Sequence, residues 1–280
     1  MRLERAQEAR THGSQTHGSQ TPAAQARPQA TADTIIEARG LTKEFRGFTA
    51  VSDFDLRVRR GSIHALIGPN GAGKSTVFNL LTRFLPATSG TIHYDGHDIT
   101  HDDAADVAQR GMVRSFQISS IFPHLSVHEN VRIALQRPLG LTYQFWRSER
   151  CLSRLDQRAD ELIAAVALEG YRGARACDLS YGRKRALEFA TTLALEPTVM
   201  LLDEPMAGLG LDDIKRITGL IRAAAVGRTV LMVEHNLKVV ADLSDTVTVL
   251  ARGRVLAEGT YAVVAANPEV RAAYMGSSDD

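Results

Sequence analysis

The sequence predicts an α/β fold built on a mainly parallel sheet. Short apolar runs without polar alternation (SIHALIG, PTVMLLDEP and RTVLMVEH) read as strands buried on both faces, the signature of parallel pairing. Segments with apolar residues three and four apart separate these runs, so helices alternate with the strands. The 280 residues are 44% hydrophobic and 23% charged, which allows one or two domains and excludes collagen-like, coiled-coil and wholly disordered chains.

The elements follow in chain order. Residues 1–33 are polar, carry a tandem THGSQ repeat and read as a disordered tail, since they bury too little apolar surface to offset their ordering entropy. His12 and His17 in that repeat read as solvated rather than metal-binding. TIIEARGLTKEF and AVSDFDLRVRRG read as strands, the second with Val51, Phe54, Leu56 and Val58 inward. SIHALIG enters a Gly-rich loop, and STVFNLLTRFL follows as a helix with Val77, Leu80, Leu81 and Phe84 on its apolar face. TSGTIHYDGHDIT reads as strand, Asp95-Gly96 turn, strand, which argues against metal binding by His93, His97 and His101, whose spacing aligns only on a helix. From about 118 to 176 the pattern is mostly helical, interrupted by RPLGLTYQFWR. GRKRALEFATTLAL is then a helix, PTVMLLDEP a strand, DDIKRITGLIRAAAV a helix, RTVLMVEH a strand, NLKVVADLS a helix, and TVTVLARGRVLAEG a hairpin around Arg252-Gly253.

Several function classes lose on composition. The formal net charge of +1 makes no global case for nucleic acid or anionic membrane. No apolar run approaches the roughly 18–20 residues that span a bilayer. The N-terminal stretch has no apolar core, so no secretory signal is expected. Cys151 and Cys177 lie in no paired-cysteine pattern and fit a reducing compartment as small apolar fillers.

Gly68-Pro69-Asn70-Gly71-Ala72-Gly73-Lys74-Ser75 fits GxxxxGK[ST] between a strand and a helix, the context of a phosphate-binding P-loop. The glycines let backbone N–H groups close around phosphate oxygens, and the helix N-terminus adds its positive dipole end. Lys74 would reach the β- and γ-phosphates, and the Ser75 hydroxyl, with Thr76 beside it, would ligate Mg²⁺. Val199-Met200-Leu201-Leu202-Asp203-Glu204 ends a buried strand in two carboxylates, with Asp203 suited to hold Mg²⁺ through water and Glu204 to orient the attacking water.

With these motifs in place, the chain resembles the ATPases of ABC transporters. Leu179-Ser180-Tyr181-Gly182-Arg183 is similar to their LSGGQ signature, Gln117 in VRSFQ to the Q-loop glutamine, and His235 in MVEH to the switch histidine. The resemblance covers about residues 34–276. It implies a P-loop ABC-type nucleotide-binding domain with an antiparallel β-subdomain and a helical signature subdomain of about 118–190, followed by a short tail at 277–280. It implies ATP hydrolysis with Mg²⁺ held by Ser75, Gln117 and Asp203, and with Lys74, Gln117, Glu204 and His235 in the catalytic set. Phe45 stands where the family stacks an aromatic on adenine, with Phe48 as the rival position. Ser180 and Gly182 would face the γ-phosphate bound by a second cassette, so the chemistry needs a dimer.

RSFQISSIFPHLSVHENV, DLSYGRKRALEFA, DEPMAGLG, MVEHNLKVVADLSD and NPEVRAAYMG look like the ATP-binding subunits of branched-chain amino acid importers, a branch shared with urea and short-amide importers. That implies a sister ATPase or a second copy of this chain, two permease subunits, a solute-binding protein acting indirectly, and a place at the cytoplasmic face of the membrane. Tyr181 and Arg183 depart from the signature, and Gly210 stands where the family usually has aspartate. Two other readings share the core motifs: a lipopolysaccharide-type export ATPase, and a soluble ABC ATPase. Soluble ABC ATPases usually carry two nucleotide domains or a long coiled coil, neither of which is present in this sequence.

Overall fold

The computed structural model describes residues 33–115, 121–138 and 149–275, with no side-chain description for 149–154 and 275. The expected N-terminal tail through residue 32, Gln117 and the tail at 277–280 therefore lie outside the described residues.

Two sheets organise the chain. The first is antiparallel, in the order β2-β1-β4-β5, from β1 (Thr34–Phe45), β2 (Phe48–Arg59), β4 (Ser89–Tyr94) and β5 (His97–Asp98). The second has the order β10-β9-β3-β8-β7-β6, from β3 (Ile63–Ile67), β6 (Met112–Ser115), β7 (Val199–Asp203), β8 (Thr229–Val233), β9 (Thr246–Ala251) and β10 (Arg254–Gly259). Among the described residues all its pairs are parallel except β9–β10, the predicted hairpin.

The inward residues of β2 do not keep a period of two, because Val51 and Phe54 are three apart, yet both are fully buried. Asp53 has φ 48° and the pairing with β1 shifts register between Leu41–Phe54 and Lys43–Val51, so a bulge absorbs the extra residue and restores the inward face.

The apolar runs are buried at every position, and alternate side chains feed two cores. Val199, Leu201, Leu231 and Val233 face one core with helix α1 (Lys74–Leu81) and the antiparallel sheet. Met200, Leu202, Val230 and Met232 face the other. That second core gathers α3 (Val127–Gln136), α4 (Glu149–Ala165), α5 (Tyr181–Leu193), α6 (Leu211–Ala224) and α7 (Leu237–Leu243). Helix α3 starts at a capping box, with Ser126 accepting from Glu129 N and Glu129 Oε2 accepting from Ser126 N.

Helix α2 (Ala104–Gln109) and strand β6 carry too few residues to show a period, and no sequence signal announces them. The chain closes with α8 (Tyr261–Ala266) and α9 (Pro268–Met275). Two expectations are corrected. Helix α1 ends at Leu81 and Arg83 turns left-handed at φ 61°, so Phe84 leaves the core face and is 57% exposed. Cys177 is exposed rather than a filler, because the turn at Ala176–Asp178 points Ala176 and Leu179 inward instead. The side chain of Cys151 lies outside the described residues.

Candidate functional site

The site is assembled at the C-terminal ends of three neighbouring parallel strands. β3 runs into the phosphate loop, β8 runs towards His235, and β7 ends at Asp203. In the chain these segments lie far apart, but in the sheet β8 sits between β3 and β7. Ligands of open α/β sheets bind at such carboxyl ends.

The phosphate loop needs its glycines for two physical reasons. Gly68 has φ 155°, and a Cβ there would sit 2.1 Å from the Leu250 carbonyl oxygen. Gly73 has φ 103°, caps α1, and a Cβ there would sit 2.7 Å from the Ala50 oxygen. Gly71 also takes positive φ, Pro69 O accepts from Ala72 N, and Asn70 is exposed at the tip. Lys74, Ser75 and Thr76 open the first turn of α1, with Lys74 buried and Ser75 exposed. Lys74 Nζ donates to Gly68 O at 2.7 Å and Pro69 O at 2.9 Å. An ammonium has three N–H groups, so one more donor is left for a phosphate. Burial lowers the Lys74 pKa, and Glu204 and Asp203 act in the opposite direction, which puts these three charged groups in one electrostatic neighbourhood.

Asp203 is held at one oxygen. Arg114 Nη2 donates to its Oδ2 at 2.5 Å, while Arg114 Nη1 donates to Asn79 Oδ1 at 2.6 Å. Asp203 Oδ1 is buried without a hydrogen-bond partner. A buried acceptor of that kind, close to the hydroxyl-bearing start of α1, fits the outer shell of a hard cation, so Mg²⁺ suits these residues. Glu204 has φ 47°, a left-handed conformation that costs a non-glycine residue on the order of 1–3 kcal/mol and is over-represented at functional sites. Glu204 N donates to Val233 O at 2.9 Å, tying the turn after β7 to the end of β8.

Phe45 and Phe48 pair at the turn of the β1–β2 hairpin, 42% and 67% exposed, so neither is a core residue. Lys43 Nζ lies 5.2 Å from the centre of the Phe45 ring. The start of β2 abuts Gly73, which places this hairpin against the phosphate loop.

Ser180 caps α5 and Gly182 is buried in its first turn. A Cβ on Gly182 would meet the Asp213 carboxylate at 2.2 Å, so α6 sits close against the signature. The departures from the signature are structurally accounted for. Tyr181 Oη donates to Ala207 O at 3.2 Å, and Arg183 stacks 4.1 Å from the Tyr171 ring centre. Gly210 caps α6 at φ −74°, and a side chain there would point into open space, so no backbone demand selects glycine. Among the described residues, the signature contacts run to Tyr171, the 207 loop and α6, and no hydrogen bond joins the signature to the phosphate loop of the same chain.

Sequence reasoning missed Arg114 and Glu234. Glu234 is fully buried, and its oxygens accept from Met206 N at 2.9 Å and from His235 N and Asn236 N at 3.1 Å each. The placement of Arg114 three residues before Gln117 is visible in the sequence, but its acid partner is 89 residues away.

Comparison with known proteins decides the family. The ABC transporter family matches residues 51–207, and the branched-chain amino acid ATP-binding cassette transporter family matches residues 254–280. The chain belongs to the ABC transporter ATPase family. This cassette is 36% identical to the high-affinity branched-chain amino acid transport ATP-binding protein BraF of Pseudomonas aeruginosa, over 87% of this chain and 98% of that one. It is 34% identical to LivG of Escherichia coli, with the same coverage. Its fold matches the ADP conformation of MJ1267, an ATP-binding cassette of an ABC transporter, at TM-score 0.75 and 28% identity over 87% of this chain and 99% of that one. A dimeric cassette, MJ0796, matches at TM-score 0.69 and 25% identity over 81% and 99%. The cassette is therefore an ATPase subunit of the transporter class, with the α/β fold the sequence predicts.

Proposed function

We propose that this cassette hydrolyses Mg-ATP at the interface of a cassette dimer and thereby powers import of branched-chain amino acids or a related small solute such as urea or an amide. The observation that carries the reading is the delivery of Lys74, Glu234-His235 and Asp203-Glu204 by three adjacent parallel strands to one edge of the sheet.

In this reading the loop amides of Gly68–Ser75 and the Lys74 ammonium bind the β- and γ-phosphates. Phe45 stacks on the adenine. Ser75, Gln117 and Asp203 would hold Mg²⁺, which would supply positive charge against that developing on the phosphate oxygens. Arg114 fixes Oδ2 of Asp203, and Oδ1, buried without a hydrogen-bond partner, is the oxygen that would serve the cation. Glu204 orients water for attack on the γ-phosphorus and accepts its proton. The bond to the β–γ bridging oxygen breaks and ADP leaves. His235, exposed at the strand end, donates to a γ-phosphate oxygen. The Ser180–Gly182 turn offers the N-terminus of α5 to nucleotide held by the other cassette, consistent with the absence, among the described residues, of a hydrogen bond from it to its own phosphate loop.

No helix among the described residues is long and apolar enough to cross a membrane. In this reading permease subunits form the transport path. A cleft of about 570 Å³ between α2–β6 and α3–α5 exposes apolar surface at Phe84, Phe122 and Ile133. Exposed apolar surface concentrated in one cleft marks a protein contact, and we assign it to the permease, which holds the cassette at the cytoplasmic face of the membrane. Similarity to branched-chain amino acid transport ATP-binding proteins favours this importer reading over a lipopolysaccharide-type exporter or a soluble ABC ATPase.

Two substitutions test the chemistry. Glu204→Gln should lower turnover roughly 10²-fold or more, while Mg-ATP still binds. Lys74→Ala should weaken nucleotide binding itself. Near-normal turnover in Glu204→Gln would move the general base to another residue.

A further inference from the structure

We infer that Glu234 is a positioning residue that ties the loop after Glu204 to the loop carrying His235, so that the two catalytic side chains are placed by one buried clamp. The inference rests on the roles proposed above for Glu204 and His235.

The geometry is specific. Glu234 is fully buried, whereas His235 beside it is exposed. Its Oε1 accepts from Met206 N at 2.9 Å, two residues beyond Glu204. Its Oε2 accepts from His235 N and Asn236 N at 3.1 Å each. One carboxyl group thus spans the ends of β7 and β8, which are neighbours in the sheet. A second strut runs from Glu204 N to Val233 O at 2.9 Å. On the far side, Asn236 caps α7 through its Oδ1, accepting from Lys238 N and Val239 N. The His235 backbone is therefore fixed between a clamped Glu234 and a capping Asn236.

The clamp needs two acceptor atoms. A carboxyl group supplies them, and a glutamine side chain supplies one acceptor and one donor. Glu234→Gln can keep the paired amides of His235 and Asn236, but then its NH₂ faces the N–H of Met206. That repulsion releases the Glu204 loop while volume and burial stay the same. Released in this way, Glu204 stays present but loses its alignment with the attacking water. A misplacement of about 1 Å can cost on the order of 10²-fold in rate.

The test uses purified full-length chain. Hydrolysis at saturating Mg-ATP gives turnover, titration with trinitrophenyl-ATP gives affinity, and thermal denaturation checks the fold. Glu234→Gln should lower turnover roughly 10- to 100-fold, leave the trinitrophenyl-ATP affinity within about twofold, and keep the melting midpoint within about 4 °C. Glu234→Asp keeps both acceptors on a side chain one methylene shorter. It should give an intermediate rate with unchanged affinity, and it decides the matter if the glutamine variant does not fold. Wild-type turnover in either folded variant overturns the inference. So does a parallel loss of affinity and turnover, which would make Glu234 a general prop for the nucleotide site. Glu204→Gln measured alongside separates the two readings. If Glu204→Gln also turns over normally, the site assignment fails; if it is slow while Glu234→Gln is normal, only the clamp fails.

Discussion

Replacing Arg114 with methionine removes the counter-charge of a buried carboxylate while roughly keeping side-chain length. The Arg114 side chain is 11% exposed and that of Asp203 2%, so the pair lies largely out of water. Removing one partner of a buried pair costs about 3–5 kcal/mol, because the remaining charge is left uncompensated. The lost bond to Asn79 Oδ1 at 2.6 Å adds about 1 kcal/mol. For a domain of this size each kcal/mol lowers the midpoint by about 2–4 °C, so a loss of about 4 kcal/mol lowers it by about 8–16 °C. Circular dichroism melts of wild type and Arg114→Met, without nucleotide, read this directly. A dication next to Asp203 Oδ1 supplies the missing positive charge, so saturating Mg-ATP should narrow the gap between the two proteins, and ATP with EDTA should not. Arg114→Lys keeps the charge but cannot bridge Asn79 and Asp203 with one planar fork, and should fall between them. A loss below about 1 kcal/mol in Arg114→Met would refute the argument that Asp203 depends on this partner.

Three further outcomes are expected. Phe45→Ala should lose roughly 1 kcal/mol of nucleotide affinity in a binding titration, with Phe48→Ala much less affected; equal or reversed losses would move the stacking aromatic. Ser180→Arg should block hydrolysis at the site whose phosphate loop lies on the other cassette, while nucleotide trapping still reports ATP at its own Lys74; if trapping fails at its own site instead, the signature acts within one chain. Phe122→Asp puts a charge into the apolar cleft and should reduce the amount of permease that co-purifies from native membranes, whereas unchanged recovery would place the permease contact elsewhere.

The local parts of this protein are legible because each is written in contiguous residues. The phosphate loop needs glycine at Gly71 and Gly73 whatever surrounds it in sequence, since both take positive φ, 75° and 103°, which an L side chain rarely adopts. The runs around Leu66, Leu201 and Leu231 announce doubly buried strands, and the Arg252-Gly253 turn announces the antiparallel pair at the edge of that sheet. The bulge in β2 is half visible, in the three-residue step from Val51 to Phe54, but its location at Asp53 needs the pairing with β1.

Tertiary structure alone decides the lateral order of the strands and everything that depends on it. The chain order is β3, β7, β8, and the sheet order is β3, β8, β7, which puts His235 between the phosphate loop and Asp203. Only that order lets the carboxyl group of Glu234 reach Met206, and only the β6–β7 pairing lets Arg114 reach Asp203. Phe84 departs from its expected place for the same reason: its spacing suits a helix face, but the left-handed turn at Arg83 carries it into the cleft. Periodicity and motif spacing record what a residue needs from its neighbours in sequence. Which distant backbone amide or charge it meets is set by how the strands pack, and no pattern within one segment encodes that.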